Sequence, residues 1–538
     1  MGGSSQEGEG KKKVTEVKIF NVPFNLEDIK EKVTITTNTL SKPSKEQLIN
    51  QAFKFHSRGN ISEAAKYYQD FINQGFNDHR VFSNYGVIFR DLGKLKEAEI
   101  SLRRALEIKP DFADAHYNLG NILRDLGNLK DAELSTRQAI NLKPDFAEAH
   151  SNLGIIFKGL GKLKEAEISL RRALEIKPDF ADAHYNLGNI LRDLGNLKDA
   201  ELSTRQAINL KPDFAEAHSN LGIIFKGLGK LKEAEQSLRK AIELKPDFAE
   251  AYLNLGEILS DLCKLLEAEQ SLRKAIELKP DFAEAYWNLS GLANTIEEAE
   301  ERINQCLKID ENYLKAKLIL SALKLHQGDQ SLFDNLIQSN HKDHATSRSI
   351  AWVFTLPKLP ELFFHRWALF DSMTKKSKKD RPFYEFGVWR GESFRYLINT
   401  FKKGYGFDTF EGLPEDWHQE KHGTYSSEGI IPKIDGGTFI AGEFEDTLPT
   451  FFSKSREMAS IINFDADLYS STICALNYSK PVIDEDTILI FDEFITNNNW
   501  EKDEYKALNE FCSNNNLTYE VLAISYMTKQ VAVKLIGI

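Results

Sequence analysis

The sequence predicts a helical solenoid followed by an α/β domain with a mostly parallel sheet. Two observations predict this fold: a block of residues recurs with a period of 34 through the first half of the chain, and short apolar strands alternate with helices after residue 381. A third observation, carboxylates placed where the predicted strands end, points to a ligand site in the α/β part. The chain has 538 residues, enough for several domains of ~150 residues each.

The repeats are nearly exact copies of one another. The block that begins LGKLKEAEISLRRALEIKPDF at Leu92 recurs identically at Leu160, 68 positions or two periods later. Gly120 and Ala132 are small where two helices of one unit must approach, and Pro144 begins the turn after a helix has ended. The pattern resembles the tetratricopeptide repeat, which has two antiparallel helices per unit.

Steps of 34 residues place about eight units along the chain, near residues 45, 79, 113, 147, 181, 215, 249 and 283. The first and last units depart from the pattern, as expected of capping repeats with one face in solvent. The resemblance implies a right-handed superhelix whose concave groove holds a peptide or another protein. His116, His150, His184 and His218 occupy equivalent positions, and we expect them to pack within the repeats rather than to form a metal ladder.

Composition excludes several classes of function. The net charge of −11 argues against nucleic acid as the main partner, because phosphate binding relies on a basic face. No apolar run reaches the ~18 residues of a membrane span, and the N-terminus has no secretory signal, so we expect a cytoplasmic protein. The four cysteines are scattered, which excludes a disulfide framework and a zinc–thiolate site.

We expect four regions along the chain. Residues 1–44 form a partly disordered tail, 45–312 the repeat array, 313–380 a helical cap and lead-in, and 381–538 the α/β domain. The two last predicted strands have no helix between them, which indicates an antiparallel hairpin at one edge of the sheet. Ligands of such sheets bind beyond the carboxyl ends of the strands, so the residues that follow each strand are the candidates.

The first predicted strand of this domain ends at Glu385 and is followed by Gly387 and Gly391. This loop lacks the middle glycine of a dinucleotide fingerprint and the lysine of a P-loop. Asp408 ends the second strand, 23 residues beyond Glu385, where an acid would bind a ribose diol. Either acid alone would also fit a loop cap, but together they favour an adenosyl ligand.

Four more carboxylates follow the next two strands. Asp465 and Asp467 are two residues apart, so on a strand both point to the same side. Asp492 and Glu493 end the following strand and would lie beside the first pair. Carboxylates this close are costly without a cation, and their oxygens suit Mg²⁺ or another hard cation. The alternative is a set of polar residues that merely leave two buried strands.

Five segments of this domain resemble the macrocin O-methyltransferase family, whose members use S-adenosylmethionine to methylate sugar hydroxyls. The segments are YEFGVWRGESF, YGFDTFEGLPEDW, GEFEDTLPTF, FDADLYSST and ILIFDEF, in the family's order. The resemblance implies a Rossmann-like class I methyltransferase fold from residue 381 to the C-terminus.

The resemblance also implies roles for single residues. The loop that holds the methionine side of the cofactor matches Glu385, Gly387, Gly391 and Ser393. The ribose acid matches Asp408, the Mg²⁺ ligands match Asp465 and Asp492, and the base matches Asp467. Glu493 is a further candidate ligand, although the family commonly has Asp-Asp where this chain has Asp492-Glu493.

The chemistry of a sugar hydroxyl agrees with these roles. Mg²⁺ bound to two vicinal oxygens would lower the pKa of the hydroxyl, and Asp467 would take its proton. We interpret the long loop of residues 413–442 as a lid over the acceptor. It contains His418 and His422, either of which is an alternative base. The acceptor could belong to a glycan, a glycosylated protein or a small molecule.

Two hypotheses of different classes remain. The first is an O-methyltransferase whose repeats recruit a substrate or partner, and the second is a non-catalytic scaffold with a degenerate methyltransferase domain. The complete set of acids favours the enzyme. Repeats of this kind are also similar to those fused to O-linked N-acetylglucosamine transferases, but a catalytic region of ~300 residues would be needed and too few residues follow the array.

Overall fold

The computed structural model describes residues 43–418 and 420–538. They form two compact units that divide between Pro212 and Asp213. The tail expected over residues 1–44 lies outside the described residues except for its last two positions. One of these, Ser44, caps the first helix by accepting a hydrogen bond from the backbone N–H of Gln47.

The first unit consists of five antiparallel helix pairs. Its helices are α1 (Lys45–Ser57), α2 (Ile61–Asn73), α3 (His79–Asp91), α4 (Leu95–Ile108), α5 (Ala113–Asp125), α6 (Leu129–Leu142), α7 (Ala147–Gly159), α8 (Leu163–Ile176), α9 (Ala181–Asp193) and α10 (Leu197–Leu210). Within a pair the helices approach closely, since a Cβ on Gly120 would lie 2.2 Å from Oγ1 of Thr136. The second helix of each pair buries an alanine, such as Ala132 and Ala166, against the first. The period of small residues therefore sets the packing of the pairs.

The second unit begins with three more pairs of the same kind. They are α11 (Ala215–Gly227), α12 (Leu231–Leu244), α13 (Ala249–Asp261), α14 (Leu265–Leu278), α15 (Ala283–Ser290) and α16 (Ile296–Ile309). The helices α17 (Leu314–His326), α18 (Ser331–Ile337) and α19 (Ala345–Val353) follow. The first helix of each pair begins at the residue that the period of 34 predicts, and the predicted helical solenoid is confirmed.

Three of the equivalent histidines contact the turn that precedes their own helix. The Nε2 atoms of His116, His150 and His184 lie 2.9–3.1 Å from the carbonyl oxygen of the proline six residues earlier. Each ring thus ties its helix to the turn that precedes it. No helix in the described part of the chain is long and apolar enough to cross a membrane.

The rest of the second unit is one eight-stranded sheet with helices. Its strands are β1 (Glu361–Leu362), β2 (Phe383–Phe386), β3 (Gly404–Asp408), β4 (Gly437–Ala441), β5 (Ile461–Phe464), β6 (Ile488–Phe491), β7 (Thr518–Ile524) and β8 (Val531–Ile536). Its helices are α20 (Arg366–Lys376), α21 (Glu392–Phe401), α22 (Phe444–Phe452), α23 (Tyr469–Ser479) and α24 (Glu504–Asn514). The strand order is β1-β7-β8-β6-β5-β2-β3-β4, and only β8 runs antiparallel to its neighbours. The prediction of a mostly parallel sheet is confirmed.

Two strands differ from the sequence-based expectation. β1 lies within the predicted helical lead-in and pairs with β7. The antiparallel hairpin of β7 and β8 was expected at the edge of the sheet, but β1 occupies that edge. β4 lies within the predicted lid loop and pairs with β3. β1 has only two residues and β4 begins at Gly437, which gives neither strand the apolar run that identifies a strand in a sequence.

A row of stacked phenylalanines crosses the centre of the sheet. Phe407, Phe386, Phe464 and Phe491 lie at matching positions of β3, β2, β5 and β6, with ring centroids 4.8–5.4 Å apart. The chain runs from β2 outward through β3 and β4, and then resumes on the other side of β2 with β5 and β6. The order therefore reverses between β2 and β5, which makes this the switch point of the sheet.

Candidate functional site

A cleft of about 870 Å³ opens at the carboxyl ends of β2, β3, β5 and β6. It contains eight of the nine residues that sequence reasoning selected: Gly387, Gly391, Ser393, Asp408, Asp465, Asp467, Asp492 and Glu493. The ninth, Glu385, is fully buried behind the cleft wall. The fold thus brings the strand-tip residues together at the switch point of the sheet.

Glu385 supports the loop that follows β2. The Ser393 hydroxyl donates a hydrogen bond to Oε1 of Glu385, while Oε2 is buried and has no hydrogen-bond partner among the described residues. Burial raises the pKa of Glu385 to about 8. Gly387 has a φ of +88°, and a Cβ there would lie 1.8 Å from the carbonyl oxygen of Asp465. Glycine is therefore required where the ends of β2 and β5 meet.

Asp408 fixes the same loop from the tip of β3. Its Oδ2 atom accepts hydrogen bonds from the backbone N–H groups of Val388 and Trp389, both at 2.7 Å. Its Oδ1 atom accepts one from the N–H of Phe410 at 2.6 Å. Asp408 thus holds the loop in place and at the same time lines the cleft.

Two cations that the sequence analysis missed neutralise the acids after β6. Both carboxylate oxygens of Asp492 accept hydrogen bonds from Nη2 of Arg366, at 2.8 and 2.7 Å. Glu493 forms an ion pair with Lys529 at 2.7 Å. Burial opposes the charge on Arg366, but the carboxylates around it raise its pKa overall. Arg366 lies in an apolar helical segment and Lys529 in the β7–β8 turn, and neither position carries a sequence signal for a site.

The acids after β5 are held in an unfavourable environment for charge. Burial and the neighbouring Asp492 raise the pKa of Asp465 well above its usual range. Burial and Glu493 do the same for Asp467, which has a φ of +59°. A further buried acid, Glu504 at the start of α24, accepts a hydrogen bond from the backbone N–H of Glu493. In the described residues no group of three His, Cys, Asp or Glu side chains is arranged to hold a metal ion.

The predicted lid loop contributes aromatic side chains and not histidines. Trp417 and Tyr425 line the cleft, and Tyr425 contacts Trp389 edge-on with ring centroids 5.7 Å apart. His418 is instead bonded to Asp503, with Nε2 and Oδ2 2.9 Å apart, and neither His418 nor His422 lines the cleft. Asp467 thus lines the cleft, whereas the two histidines of this loop do not.

One wall of the cleft comes from the helical repeats. Lys226 of α11, Leu231 of α12, and Ser260 and Asp261 of α13 line it. The backbone carbonyl of Ser260 accepts a hydrogen bond from the indole N–H of Trp367 in α20 at 2.8 Å. Sequence reasoning did not identify this wall, although Ser260 departs from the arginine that α9 has at the equivalent position, Arg192.

The comparison with family models concerns the helical region. The TPR repeat model matches residues 86–127, 120–161, 156–195, 188–229 and 224–262, and the tetratricopeptide repeat model matches residues 249–282. The helical region is a tetratricopeptide repeat array. No curated protein sequence matches the chain.

Several solved structures are similar to parts of this array. YrrB, described as a TPR protein with an unusual peptide-binding site, is 27% identical over 34% of this chain and 95% of its own, with a TM-score of 0.29. PilF of Pseudomonas aeruginosa is 21% identical over 39% of this chain and 96% of its own, with a TM-score of 0.35. A thermophilic TPR protein of Thermus thermophilus is 25% identical over 34% of this chain and 99% of its own, with a TM-score of 0.31.

Proposed function

We propose that the chain is an S-adenosylmethionine-dependent O-methyltransferase that acts on a sugar hydroxyl. The observation that carries the proposal is the cleft at the switch point, where acidic residues from neighbouring strand ends meet. The order of β4, β3, β2, β5 and β6 is that of doubly wound sheets that bind nucleotides at this place.

The cofactor would lie against the loop after β2. Gly387, Gly391 and Ser393 would face its methionine part, and Asp408 its ribose, as the resemblance to macrocin O-methyltransferases implies. Gly391 has a φ of +79° at the N-terminus of α21, which lets the loop enter that helix. The cofactor role of Glu385 stays a prediction, and in the structure this residue contacts the loop through Ser393.

S-adenosylmethionine would supply a methyl group on a positively charged sulfur. The acceptor oxygen would take that methyl group in exchange for its hydroxyl proton, the sulfur would leave as a neutral thioether, and Asp467 would receive the proton. Burial and the nearby Glu493 raise the pKa of Asp467, which makes its carboxylate a stronger base than a solvent-exposed one. Arg366 and Lys529 hold the neighbouring carboxylates in position around it.

Mg²⁺ is included in the proposal only because the cleft contains carboxylate oxygens that could be its ligands. Asp465, Asp492 and Glu493 offer the oxygen ligands that this ion prefers. In the structure, however, Asp492 and Glu493 are bonded to Arg366 and Lys529, so the three acids do not fit a metal ion as they stand. Because of this pairing, the proposed reaction contains no step that depends on the metal.

The repeat array adds a protein-binding function. Tetratricopeptide repeats are scaffolds for protein binding, and we propose that the array binds a peptide or protein in its concave groove. If the sugar belongs to a glycosylated protein, the array would recruit that protein. A glycan or small-molecule acceptor would enter the cleft directly.

A calorimetric titration of S-adenosylmethionine into the full chain tests the enzyme proposal. We expect micromolar binding that Asp408→Asn weakens at least tenfold and that Glu411→Gln, an exposed acid outside the cleft, leaves unchanged. Repeating the titration with Mg²⁺ and with EDTA tests the metal. The absence of cofactor binding in the folded chain would contradict the proposal.

The same titration tests the second candidate, a non-catalytic scaffold. The observation that favours it is the internal pairing of Asp492 with Arg366 and of Glu493 with Lys529. Acids that already have partners need neither metal nor cofactor. A folded chain that binds a protein partner but not S-adenosylmethionine would support the scaffold.

A further inference from the structure

The repeat that begins with α13 differs from its copies at Ser260, which lines the cleft. Helix α13 differs from α9 at five of 13 positions, and two of these changes are Glu257 for the asparagine at 189 and Ser260 for the arginine at 192. Elsewhere in the array the arginine pairs with the aspartate that follows it, as in Arg192–Asp193 at 2.9 Å. The change at Ser260 removes this arginine at a position that lines the cleft.

The consequence is that Asp261 lacks the arginine partner of its copies and keeps a longer ion pair with Lys226. In the copy that lies within the first unit, Lys158 contacts Asp193 at 3.0 Å. In the second unit, Glu257 binds the equivalent Lys226 at 2.8 Å, and Lys226 lies 3.9 Å from Asp261. The Asp261 carboxylate has no hydrogen-bond partner among the described residues, and 47% of its side chain is exposed to the cleft.

The position of this wall is fixed by packing. Gly229, in the turn between α11 and α12, has a φ of +66°, and a Cβ there would lie 2.2 Å from the Trp389 ring. The equivalent Gly161 and Gly195 have nothing within 4 Å of that position. The turn of the repeat and the loop after β2 therefore meet in direct contact, on the same side as Lys226 and Asp261.

The charge of the cleft limits what this wall can bind. Eleven Asp or Glu residues line the cleft, against four Lys or Arg residues. Phosphate, sulfate or carboxylate groups on an acceptor would be repelled. A carboxylate beside an ammonium group offers an acceptor and a donor to adjacent hydroxyls, which is how a neutral sugar is held.

We infer that Lys226 and Asp261 form a subsite, built by the repeat array, for a neutral, hydroxyl-rich part of the methyl acceptor. The inference rests on the proposed function and names the class of its substrate. The array then serves as a wall of the site in addition to any role in protein binding.

A glycan-binding assay tests the subsite. The full chain is applied to immobilised neutral, amino and anionic glycans, and calorimetry is then done with the neutral glycan that binds most tightly. We expect Asp261→Asn and Lys226→Gln each to weaken that binding at least tenfold, as for loss of a hydrogen bond to a charged group. Ser260→Arg should weaken it as well, because it restores the arginine that pairs with the aspartate in other repeats. The matched variants Asp193→Asn and Lys158→Gln should change it less than twofold.

Tryptophan fluorescence of each variant checks that it is folded. If Asp261→Asn does not fold, the affinity of Ser260→Arg for the glycan tests the subsite in its place. The subsite would be overturned if the chain binds no neutral glycan, or binds only amino or anionic glycans. It would also be overturned if the cleft variants and the matched variants bind with equal affinity. Titration of S-adenosylmethionine separates this result from the enzyme proposal. Glycan binding that depends on Asp261 without cofactor binding would keep the subsite and remove the methyltransferase.

Discussion

The repeats and the sheet use their sequences in different ways. In the repeats each residue has copies 34 positions away with nearly the same surroundings, such as Ala132 and Ala166, both fully buried. In the sheet each residue has its own surroundings, and Phe464 at the centre touches rings from two other strands. A residue that is the same in all copies serves the packing within its own repeat. A residue that differs between copies points to a contact with another part of the fold.

The largest effect is expected at the centre of the sheet. Phe464→Ala should lower the free energy of unfolding by about 4 kcal/mol, because it removes a fully buried ring between Phe386 and Phe491. All six tryptophans lie between residues 287 and 500, so their fluorescence during guanidinium unfolding reports on the second unit. The matched variant Leu170→Ala, in the first unit, should leave that transition in place. Equal shifts from both variants would contradict the contrast between local repeats and a shared sheet core.

The turn glycines give a sharper comparison between two copies of one motif. Gly195→Ala should cost about 1 kcal/mol, since an L-residue must then adopt a left-handed conformation with open space around it. Gly229→Ala should cost about 2 kcal/mol more, because its Cβ would overlap the Trp389 ring. Guanidinium unfolding, followed by circular dichroism and by fluorescence, measures both. If the two variants are equally stable, the turn does not contact the loop after β2.

A buried histidine between α17 and the sheet gives a pH dependence. The His326 ring packs against Phe354 and Tyr526, with centroids 5.0 and 6.1 Å away, and burial lowers its pKa to about 4. Between pH 6.5 and 4 the unfolded chain binds a proton that the folded chain does not, so stability falls as the pH falls through this range. The loss should be about 2 kcal/mol between pH 7 and pH 5.

Thermal melting across this pH range measures the effect by tryptophan fluorescence. His326→Phe keeps the aromatic contacts and cannot titrate, so its melting temperature should fall less on acidification than that of the wild type. A parallel decline in both proteins would mean that other groups cause the acid sensitivity.

The smallest effect is expected on the outer surface of the repeats. Ile168→Ser should change stability by less than about 0.5 kcal/mol, because its side chain is 69% exposed. Leu170, two residues further along the same helix, is fully buried and provides the contrast. Circular dichroism during urea unfolding measures both variants. A large loss from Ile168→Ser would show that this exposed position contacts something in the folded chain.

Much of the candidate site could be predicted because strand tips meet at one edge of a parallel sheet. Gly387, Asp408, Asp467 and Asp492 each lie at or just beyond the end of a strand, and the fold brings them to one cleft. Glu385 is the exception, since it belongs to the strand itself and its side chain is enclosed behind the cleft. The roles assigned to these residues for cofactor, metal and proton transfer stay predictions.

The sequence by itself determined the repeats, the strands with apolar runs and the acids at their ends, because these depend on local spacing. Only the tertiary structure decided the partners of those acids and the identity of the cleft walls. Arg366 reaches Asp492 across 126 residues, and β1 reaches β7 across an even longer stretch. Such contacts depend on which surfaces meet after folding, and no short pattern in the chain records them. Lys226 and Asp261 belong to the same class, because they lie in two successive repeats and only the folded structure shows that both line the cleft.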